Sequence, residues 1–359
     1  MRIDEFNYEL PPELIAQTAV EPRDSSRLLV VHRDTGALEH RHFYDLGEYL
    51  RPGDLLVANE SKVLPARLLG YKLATGGKVE VLLLRPVVQP DDNGAESRTW
   101  EALVSPGRRI PDDTVLAFGD PDNGPYMQAE VMSRAELGGR ILRFNVPPRP
   151  LLDALGQMPL PPYIHEKPVD PQRYQTVYAR TEGSAAAPTA GLHFTRRLMD
   201  ELQGQGVGWA TVTLHVGLDT FRPVHEERVE DHAMHSEWYN LPAGAASALT
   251  EARRGGGRVA AVGTTSVRVL ETIARQQALT SQARDRHIEP AHGWTDLYLT
   301  PGSQFGLVDI MITNFHLPQT TLLLLVSAFA GRDLMLRAYA EAIKERYRFY
   351  SFGDAMLIL

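Results

Sequence analysis

The chain has 359 residues, a formal net charge of −8 and no cysteine. Without cysteine it cannot form disulfides, iron–sulfur clusters, thiolate zinc sites or a cysteine nucleophile. Hydrophobic residues make up 43% and charged residues 23%, which are ordinary globular values and exclude disordered and fibrous classes. The length predicts two domains, or one domain with a sizeable insertion.

The apolar runs are too short for a membrane span. The longest, LLLLVSAFA at 322–330, falls well short of the roughly 20 residues that a bilayer requires. The N-terminal stretch MRIDEFNYELPPEL has neither an apolar core nor a cleavage site, so no secretory signal is predicted. We therefore expect a cytoplasmic protein.

The first 61 residues predict a strand at RLLVV, a second strand after the turn DTG, a short helix at DLGEYL and an apolar strand at DLLVAN. From 62 to 150 the pattern changes. Short apolar runs (KVEVLLL, WEALV, TVLAF, AEVMS and RILRFNV) alternate there with glycine, proline and Asn-Gly turns, as in an antiparallel barrel or sandwich. The proline cluster at 146–164 marks a domain boundary.

Strands and helices alternate from about residue 170. Helices are predicted at FTRRLMDELQGQG, AASALTEARRGGG, SVRVLETIARQQ and TTLLLLVSAFAG, and strands at WATVTLHV, RVAAVG and DIMITNF. This alternation is typical of α/β proteins. The predicted fold is an α/β domain with a mixed sheet over 1–61 and 151–359, and an inserted antiparallel β-barrel domain over 62–150.

The stretch AAAPTAGLHFT at 185–195 is rich in small residues. Such residues add little packing energy, so they indicate a backbone that lies close to a ligand. Alternatively, the stretch is a tight turn into a helix that Thr189 or Thr195 caps.

Polar side chains also follow three predicted strands. Alternation in WATVTLHVG places Thr211, Thr213 and His215 on one face, with His215 at the carboxyl end, where open α/β sheets bind ligands. A half-buried edge strand with a solvated histidine is the alternative. RVAAVGTTS and ITNFHLPQTT end in the same way, and three polar strand ends in one domain predict an active-site crevice.

The turn after RVAAVG offers the backbone N–H groups and hydroxyls of Thr264, Thr265 and Ser266 to a carboxylate, a phosphate or sugar hydroxyls. Ordinary N-capping would explain the same residues. Zinc is worth considering at His232, His235 and Glu237, but their order lacks the helical H-E-x-x-H spacing. We therefore expect no metal, and Trp and Tyr nearby indicate a strand or an aromatic lid.

Several stretches, in order along the chain, resemble the S-adenosylmethionine:tRNA ribosyltransferase-isomerase family. They are ELPPELIAQ, RPGDLLVANESKVLPARLLG, AAAPTAGLHFT, TLHVGLDTFRPV, MHSEWY, AVGTTSVRVLE, TDLYLTPGSQF, ITNFHLPQTTLLLLVSAFAG and YRFYSFGDAMLIL. The resemblance implies an α/β domain with an inserted barrel and a monomeric protein. It also implies a reaction of queuosine biosynthesis. The ribosyl part of S-adenosylmethionine is transferred to the 7-aminomethyl group of a 7-deazaguanine at the tRNA wobble position and rearranged, while adenine and methionine leave.

That reaction needs a general base, a proton for adenine and binding groups, but no resident cofactor, because S-adenosylmethionine is a consumed co-substrate. We assign acid–base roles to His193 and His215 first and to His316 third, since histidine shuttles protons near neutral pH. We assign substrate binding to a larger group: Thr189, Gly191, Thr264, Thr265, Ser266, Arg268, Asn314, Asn59, Arg67, His235 and Glu237. Candidates for contact with the tRNA anticodon stem-loop are Lys62, Arg67, Lys72, Arg108, Arg109, Tyr163, Arg173 and Tyr174.

The stretch SPGRRIPDD, which contains Arg108 and Arg109, could equally be a solvated hairpin tip that does not contact RNA.

Two positions depart from the family pattern. Lys62 stands where an arginine is usual and cannot reproduce its bidentate fork. Asp219 stands where glycine is usual.

Two other functions are alternatives to this reaction. A small-molecule methyltransferase would use the same co-substrate, but its usual glycine-rich loop is missing from the sequence. An RNA-binding scaffold would use the barrel, but it leaves the polar strand ends unexplained.

Overall fold

The fold is taken from a computed structural model of the chain, which describes residues 1–87, 96–107, 110–135, 138–166, 170–217, 224 and 226–359. The chain forms two compact units. The first comprises Met1–Lys62, Pro161–Thr181 and Ala187–Leu359, and the second comprises Val63–Leu160 and Glu182–Ala186. From the sequence, the inserted domain was placed at 62–150.

Eighteen strands lie within the described residues. In chain order, β1 to β18 cover Arg27–Val31, Leu38–His42, Leu55–Asn59, Ser61–Val63, Arg67–Lys72, Lys78–Pro86, Thr99–Ser105, Val115–Gly119, Tyr126–Arg134, Arg140–Phe144, Gly156–Gln157, Thr181–Ser184, Gly208–Leu214, Glu237–Leu241, Val259–Val262, Ala291–Thr295, Ile310–Asn314 and Ala355–Ile358. The α-helices in the same residues, α1 to α6, cover Leu152–Leu155, Arg196–Gly204, Ala243–Arg254, Thr264–Gln276, Thr321–Ala330 and Arg332–Lys344.

The first unit is built on a mixed sheet of nine of these described strands. Their order is β16-β14-β13-β3-β15-β17-β18-β1-β2. β13, β3, β15 and β17 run parallel to one another, so their carboxyl ends lie at one edge of the sheet. β14, β16, β18 and β2 each pair antiparallel with a neighbour. The predicted α/β class with a mixed sheet is confirmed.

The central strands are apolar on both faces because helices cover the sheet on both sides. In β15, Val259 and Ala261 belong to the larger of two apolar cores, and Ala260 and Val262 belong to the other. A continuous apolar run is what a strand buried on both faces requires. The short sequence RVAAVG therefore lies in the middle of the sheet, beneath the candidate site.

The helices predicted in the second half of the chain are present as α2 to α5. The short helix predicted at 45–50 is a 3₁₀ helix over Phe43–Glu48. The structure adds α6, which the sequence analysis omitted, and Gly331 separates it from α5 with a φ of 91°. Of the helices in the described parts of the chain, none is long and apolar enough to cross a bilayer.

The second unit contains the predicted barrel. Within its described residues, β5, β6, β7, β10, β9 and β8 pair antiparallel in that order, and β8 closes on β5. The core contains Val81, Met127 and Leu142, none of them exposed to solvent. β5 was not among the predicted strands. Gly70 in β5 is required, because a Cβ there would lie 2.3 Å from the Ala117 carbonyl oxygen. The inserted antiparallel barrel is confirmed.

Candidate active site

A cleft opens in the first unit, at the carboxyl edge of the parallel strands. β13 leads into the wall at Val216, β15 at Gly263–Thr265 and β17 at Thr313–Leu317. The three strand ends that the sequence analysis singled out therefore meet at one cavity.

The predicted site residues divide between this wall and other positions. Those that line the cleft are Thr189, Thr264, Thr265, Asn314 and His316. The remaining assigned residues lie behind the wall, beside it or in the second unit.

The small-residue stretch serves two purposes. Ala187, Pro188, Thr189 and Ala190 line the cleft, so small side chains do border the open space. Thr195 caps α2, because its hydroxyl accepts from the Leu198 N–H at 3.1 Å. The capping interpretation is confirmed for Thr195, and the interpretation of ligand contact stays a prediction for the residues that line the cleft.

Gly191 is required by packing. It is buried in a 3₁₀ helix over Thr189–His193, and a Cβ there would lie 1.9 Å from the Tyr178 hydroxyl and 2.9 Å from Thr176 Cγ2. The glycine thus makes room for a neighbouring side chain, while the cleft is bordered by the residues just before it.

We expect Gly191→Ala to lower the free energy of unfolding by about 1–3 kcal/mol, the usual cost of overpacking a core. Urea denaturation measures it. The Tyr178 hydroxyl is the closest atom that the added Cβ would meet, and it has no partner among the described residues, so Tyr178→Phe should relieve part of the penalty in the double variant. Gly244→Ala, with open space around the Cβ position, is the matched control. An equal penalty with and without the Tyr178 hydroxyl would refute the explanation.

His316 is the histidine that lines the cleft. Its Nε2 lies 2.7 Å from Thr313 Oγ1, and its main-chain N–H donates to the Tyr339 hydroxyl at 2.8 Å. The other ring nitrogen, Nδ1, has no partner within the described parts of the chain. Burial lowers the pKa of His316 to about 3. The side chain is therefore a neutral imidazole at pH 7 with one uncommitted nitrogen.

His193 lies behind the wall. Its Nδ1 is 2.7 Å from Ser26 Oγ and its Nε2 is 3.2 Å from Asn314 Nδ2, while the ring stacks on Phe43. Burial and then the nearby arginines, Arg173 first, lower the pKa of His193 to about 3. With both nitrogens committed to neutral partners, this geometry favours a positioning role over the predicted acid–base role.

His215 follows β13 and lies beside the cleft. Its main-chain N–H donates to the Trp238 carbonyl at 2.9 Å, and its ring stacks on the Trp238 indole with centroids 5.1 Å apart. The side chain is half-buried. The next residue, Val216, reaches the cleft wall.

The start of α4 presents hydroxyls to the cleft. Gly263 has a φ of 87°, which glycine adopts easily, and no side chain caps this helix. Thr265 Oγ1 is buried without a hydrogen-bond partner among the described residues. Ser266 points the other way, since its hydroxyl donates to the Val262 carbonyl at 2.8 Å. Simple capping therefore does not explain these residues.

Arg268 and Glu237 form a buried ion pair away from the cleft wall. Their exposures are 4% and 3%, and Arg268 also donates to the main-chain carbonyls of Thr295 and Leu297, each at 3.2 Å. Glu237 accepts from the Gly217 N–H at 2.8 Å. Burial raises the pKa of Glu237, but Arg268 and His235 lower it by more. The pKa of this carboxyl therefore lies below its ordinary value.

The three residues considered for zinc do not form one cluster. His235 Nε2 lies 3.0 Å from Glu237 Oε1, whereas His232 Nδ1 lies 2.9 Å from a different carboxylate, Glu226 Oε2. No group of three His, Cys, Asp or Glu residues is placed to hold a metal ion anywhere in the described ranges. The predicted ligand-binding roles of Arg268, His235 and Glu237 have no cleft contact to support them.

Asn59 and Arg67 are also engaged elsewhere. The Asn59 amide bridges to β13, donating to the Leu214 carbonyl at 3.0 Å and accepting from the Leu214 N–H at 3.1 Å. Arg67 lies in β5 of the second unit, where its Nε is 2.7 Å from Glu80 Oε1. Asn59 thus joins two strands of the sheet, and Arg67 has an acidic partner on the neighbouring strand, β6.

The candidates for RNA contact are scattered. Tyr174 is fully buried and cannot stack on an anticodon base, which corrects that assignment. Tyr163 lines the cleft and lies 2.8 Å from Ser351 Oγ through its hydroxyl. Arg173 pairs with Glu21. Lys62 and Lys72 are half-buried, and Arg108, Arg109 and Asp219 lie outside the described residues.

Several residues that line or support the cleft were not among the predicted site residues. Tyr350 and Ser351 line the cleft, and both lie in the family-like stretch YRFYSFGDAMLIL, so a signal was present. Thr313 could have been found from its position at a strand end. Ser26, which holds His193, had no such signal.

These features define an α/β protein whose open sheet carries a cleft with polar walls at the carboxyl ends of its strands, with a closed barrel in a second unit. A model of the family described as "Queuosine biosynthesis protein" matches residues 3–358. The chain belongs to this family, the S-adenosylmethionine:tRNA ribosyltransferase-isomerases.

Individual relatives agree over their whole lengths. The chain is 58% identical to a protein of that name from Moorella thermoacetica and 54% identical to one from Symbiobacterium thermophilum, each with full coverage of both chains. A crystal structure titled S-adenosylmethionine tRNA ribosyltransferase, from Thermotoga maritima, is 42% identical. It covers 99% of this chain and 100% of its own, with a TM-score of 0.55.

Proposed function

We propose that this chain transfers the ribosyl part of S-adenosylmethionine to 7-aminomethyl-7-deazaguanine at the tRNA wobble position and isomerises it. The products are epoxyqueuosine-tRNA, adenine and methionine. The full-length identity of 58% to the Moorella thermoacetica enzyme carries this conclusion. The cleft supports it, because its wall combines hydroxyls with an imidazole.

The chemistry suits these residues. The sulfonium acidifies the neighbouring C5′ protons of the ribose and leaves as the neutral thioether of methionine. What the protein adds is a proton acceptor, a proton for adenine and groups that orient the ribose. His316 is the leading acid–base candidate because its Nδ1 is uncommitted, and His215, beside the cleft, is the second. The hydroxyls of Thr189, Thr264 and Thr265 are placed to contact the ribose.

No resident cofactor or metal takes part in the proposed reaction, and S-adenosylmethionine is consumed as a co-substrate. We place the protein in the cytoplasm, where tRNA is modified, and propose that it acts as a monomer. Light scattering on the purified protein should then give a mass near 39.9 kDa.

Product analysis tests the reaction. The protein is incubated with S-adenosylmethionine and a tRNA that carries the 7-aminomethyl base, with the same tRNA carrying guanine as the control. Adenine and methionine released in equal amounts, only with the modified tRNA, are expected. S-adenosylhomocysteine would indicate methyl transfer instead, and no small product at all would indicate an RNA-binding scaffold.

A further inference from the structure

The side chain of Asn314 has a fixed orientation in the cleft wall. One polar atom of its amide lies 3.1 Å from the Tyr350 carbonyl oxygen. A carbonyl oxygen can only accept, so this atom must be the Nδ2 donor and not the oxygen. The opposite atom, Oδ1, has no hydrogen-bond partner in the described parts of the chain, although Asn314 is only 2% exposed.

The same nitrogen determines the tautomer of His193. Nδ2 also lies 3.2 Å from His193 Nε2. Because Nδ2 only donates, Nε2 must accept, and the neutral ring then carries its proton on Nδ1. That N–H donates to Ser26 Oγ, 2.7 Å away. Ser26, His193 and Asn314 therefore form a directed chain of hydrogen bonds that ends at the cleft.

We propose that His193 is a positioning residue that locks the Asn314 amide, so that Oδ1 faces the cleft and accepts a neutral N–H or O–H group of the adenosyl part of the co-substrate. Ser26 holds His193 in the required tautomer. The identity of the ligand rests on the proposed function, whereas the hydrogen-bond direction does not.

The energetics of the unpaired oxygen support this role. A buried acceptor without a partner costs about 1–3 kcal/mol, which is tolerated in a binding site when a ligand supplies the missing donor. Thr265 Oγ1 lines the same cleft and is also unpaired among the described residues. The same cleft therefore offers an acceptor from β17 and a hydroxyl from the start of α4.

His193 is well suited to hold a neutral partner. Its ring is 5% exposed and stacks on Phe43 with centroids 5.0 Å apart. Burial, with Arg173 and Arg23 nearby, keeps the pKa of His193 far below its ordinary range. The imidazole therefore stays uncharged at working pH and keeps its Nε2 acceptor.

Two substitutions of His193 separate positioning from proton transfer. In His193→Gln the side-chain oxygen can replace Nε2 as acceptor, whereas His193→Leu offers no acceptor. We expect His193→Gln to keep the dissociation constant for S-adenosylmethionine and the single-turnover rate within about threefold of the parent. His193→Leu should weaken binding by about 5- to 10-fold, the effect of losing roughly one hydrogen bond of about 1 kcal/mol. Calorimetry without tRNA gives the dissociation constants.

A double-mutant cycle tests whether His193 acts through Asn314. Asn314→Ala alone should weaken binding, and adding His193→Leu to it should cause little further loss, since the two side chains form one unit. Additive losses would overturn the proposal. So would a loss of rate above about 100-fold in His193→Gln with unchanged binding, because that result is expected of an acid–base catalyst.

Folding is checked by thermal denaturation of each variant. If His193→Leu does not fold, His193→Gln alone decides between the two roles. Ser26→Ala should give a smaller loss of binding than His193→Leu, and no loss would remove Ser26 from the chain of hydrogen bonds. Adenine release by the wild-type protein tests the proposed function separately, so failure of one conclusion is distinguishable from failure of the other.

Discussion

Replacing His316 with alanine should lower the single-turnover rate of adenine release by about 10²- to 10⁴-fold, the usual contribution of a general acid or base. His316 combines a place on the cleft wall with an uncommitted Nδ1. When its Nε2–H donates to Thr313 Oγ1, Nδ1 carries the lone pair that a base needs. The rate is measured by rapid quench with enzyme in excess over modified tRNA.

The fold should survive this change. Tyr8 and Tyr339 contact main-chain atoms of His316, and these contacts do not depend on the ring. His316→Gln should lose as much rate as His316→Ala, since an amide does not accept the proton. His292→Ala, at an exposed position in β16, is the matched control and should be unaffected. A His316→Ala rate within threefold of the parent would exclude the acid–base role.

The pH dependence of the rate gives a second check. Burial lowers the pKa of His316 to about 3. The group is therefore unprotonated throughout pH 5–8, and its titration should add no slope to the rate profile there. A rate that falls tenfold per unit below pH 7 in the parent, but not in His316→Gln, would contradict this.

Arg268→Ala should lower the free energy of unfolding by about 3–5 kcal/mol, because it removes the guanidinium that offsets the burial of the Glu237 carboxylate. Glu237 is 3% exposed, and Arg268 is the strongest of the charges that offset its burial. The loss is measured by urea denaturation at pH 7. Glu237→Ala should lower the free energy of unfolding by a similar amount, because it leaves the Arg268 guanidinium buried without its carboxylate.

A double replacement distinguishes the ion pair from simple packing. Arg268→Met combined with Glu237→Leu removes both charges and keeps most of the volume, so it should cost less than either single change to alanine. Lys344→Ala, which breaks an exposed pair with Glu341, should have a far smaller effect than Arg268→Ala. A loss below about 1 kcal/mol in Arg268→Ala would mean that the remaining carboxylate becomes hydrated.

Much of the fold was predictable because burial leaves a periodic signal. RVAAVG reads as a strand since every residue of β15 is buried, and the turn-rich segment reads as a barrel since its strands alternate. The same signal was available for α6, in which Met335, Ala338, Tyr339 and Ala342 are buried at helical spacing. α6 was nevertheless absent from the predicted helices.

The site was harder to predict because a strand end shows which side chains are polar but not where they point. The ranking of the histidines illustrates this. His193 and His215 were ranked above His316 as acid–base candidates. However, His193 Nδ1 is hydrogen-bonded to Ser26, which lies 167 residues away in sequence. The sequence around Ser26 and the sequence around His193 contain no pattern that predicts this contact. Similarly, Arg268 follows the threonines of α4 in sequence, but its carboxylate partner comes from β14.

The position of β3 has a consequence for synthesis of the chain. β3 ends at Asn59 but pairs on both sides with strands made much later, β13 and β15. At about 5–20 residues per second, the roughly 150 residues between the end of β3 and the start of β13 take about 8–30 s to translate. During that interval an apolar strand leaves the ribosome without either neighbour, while the contiguous barrel segment can already fold. We expect chaperone contact with nascent chains to begin near Leu55–Asn59 and to end once β15 has emerged.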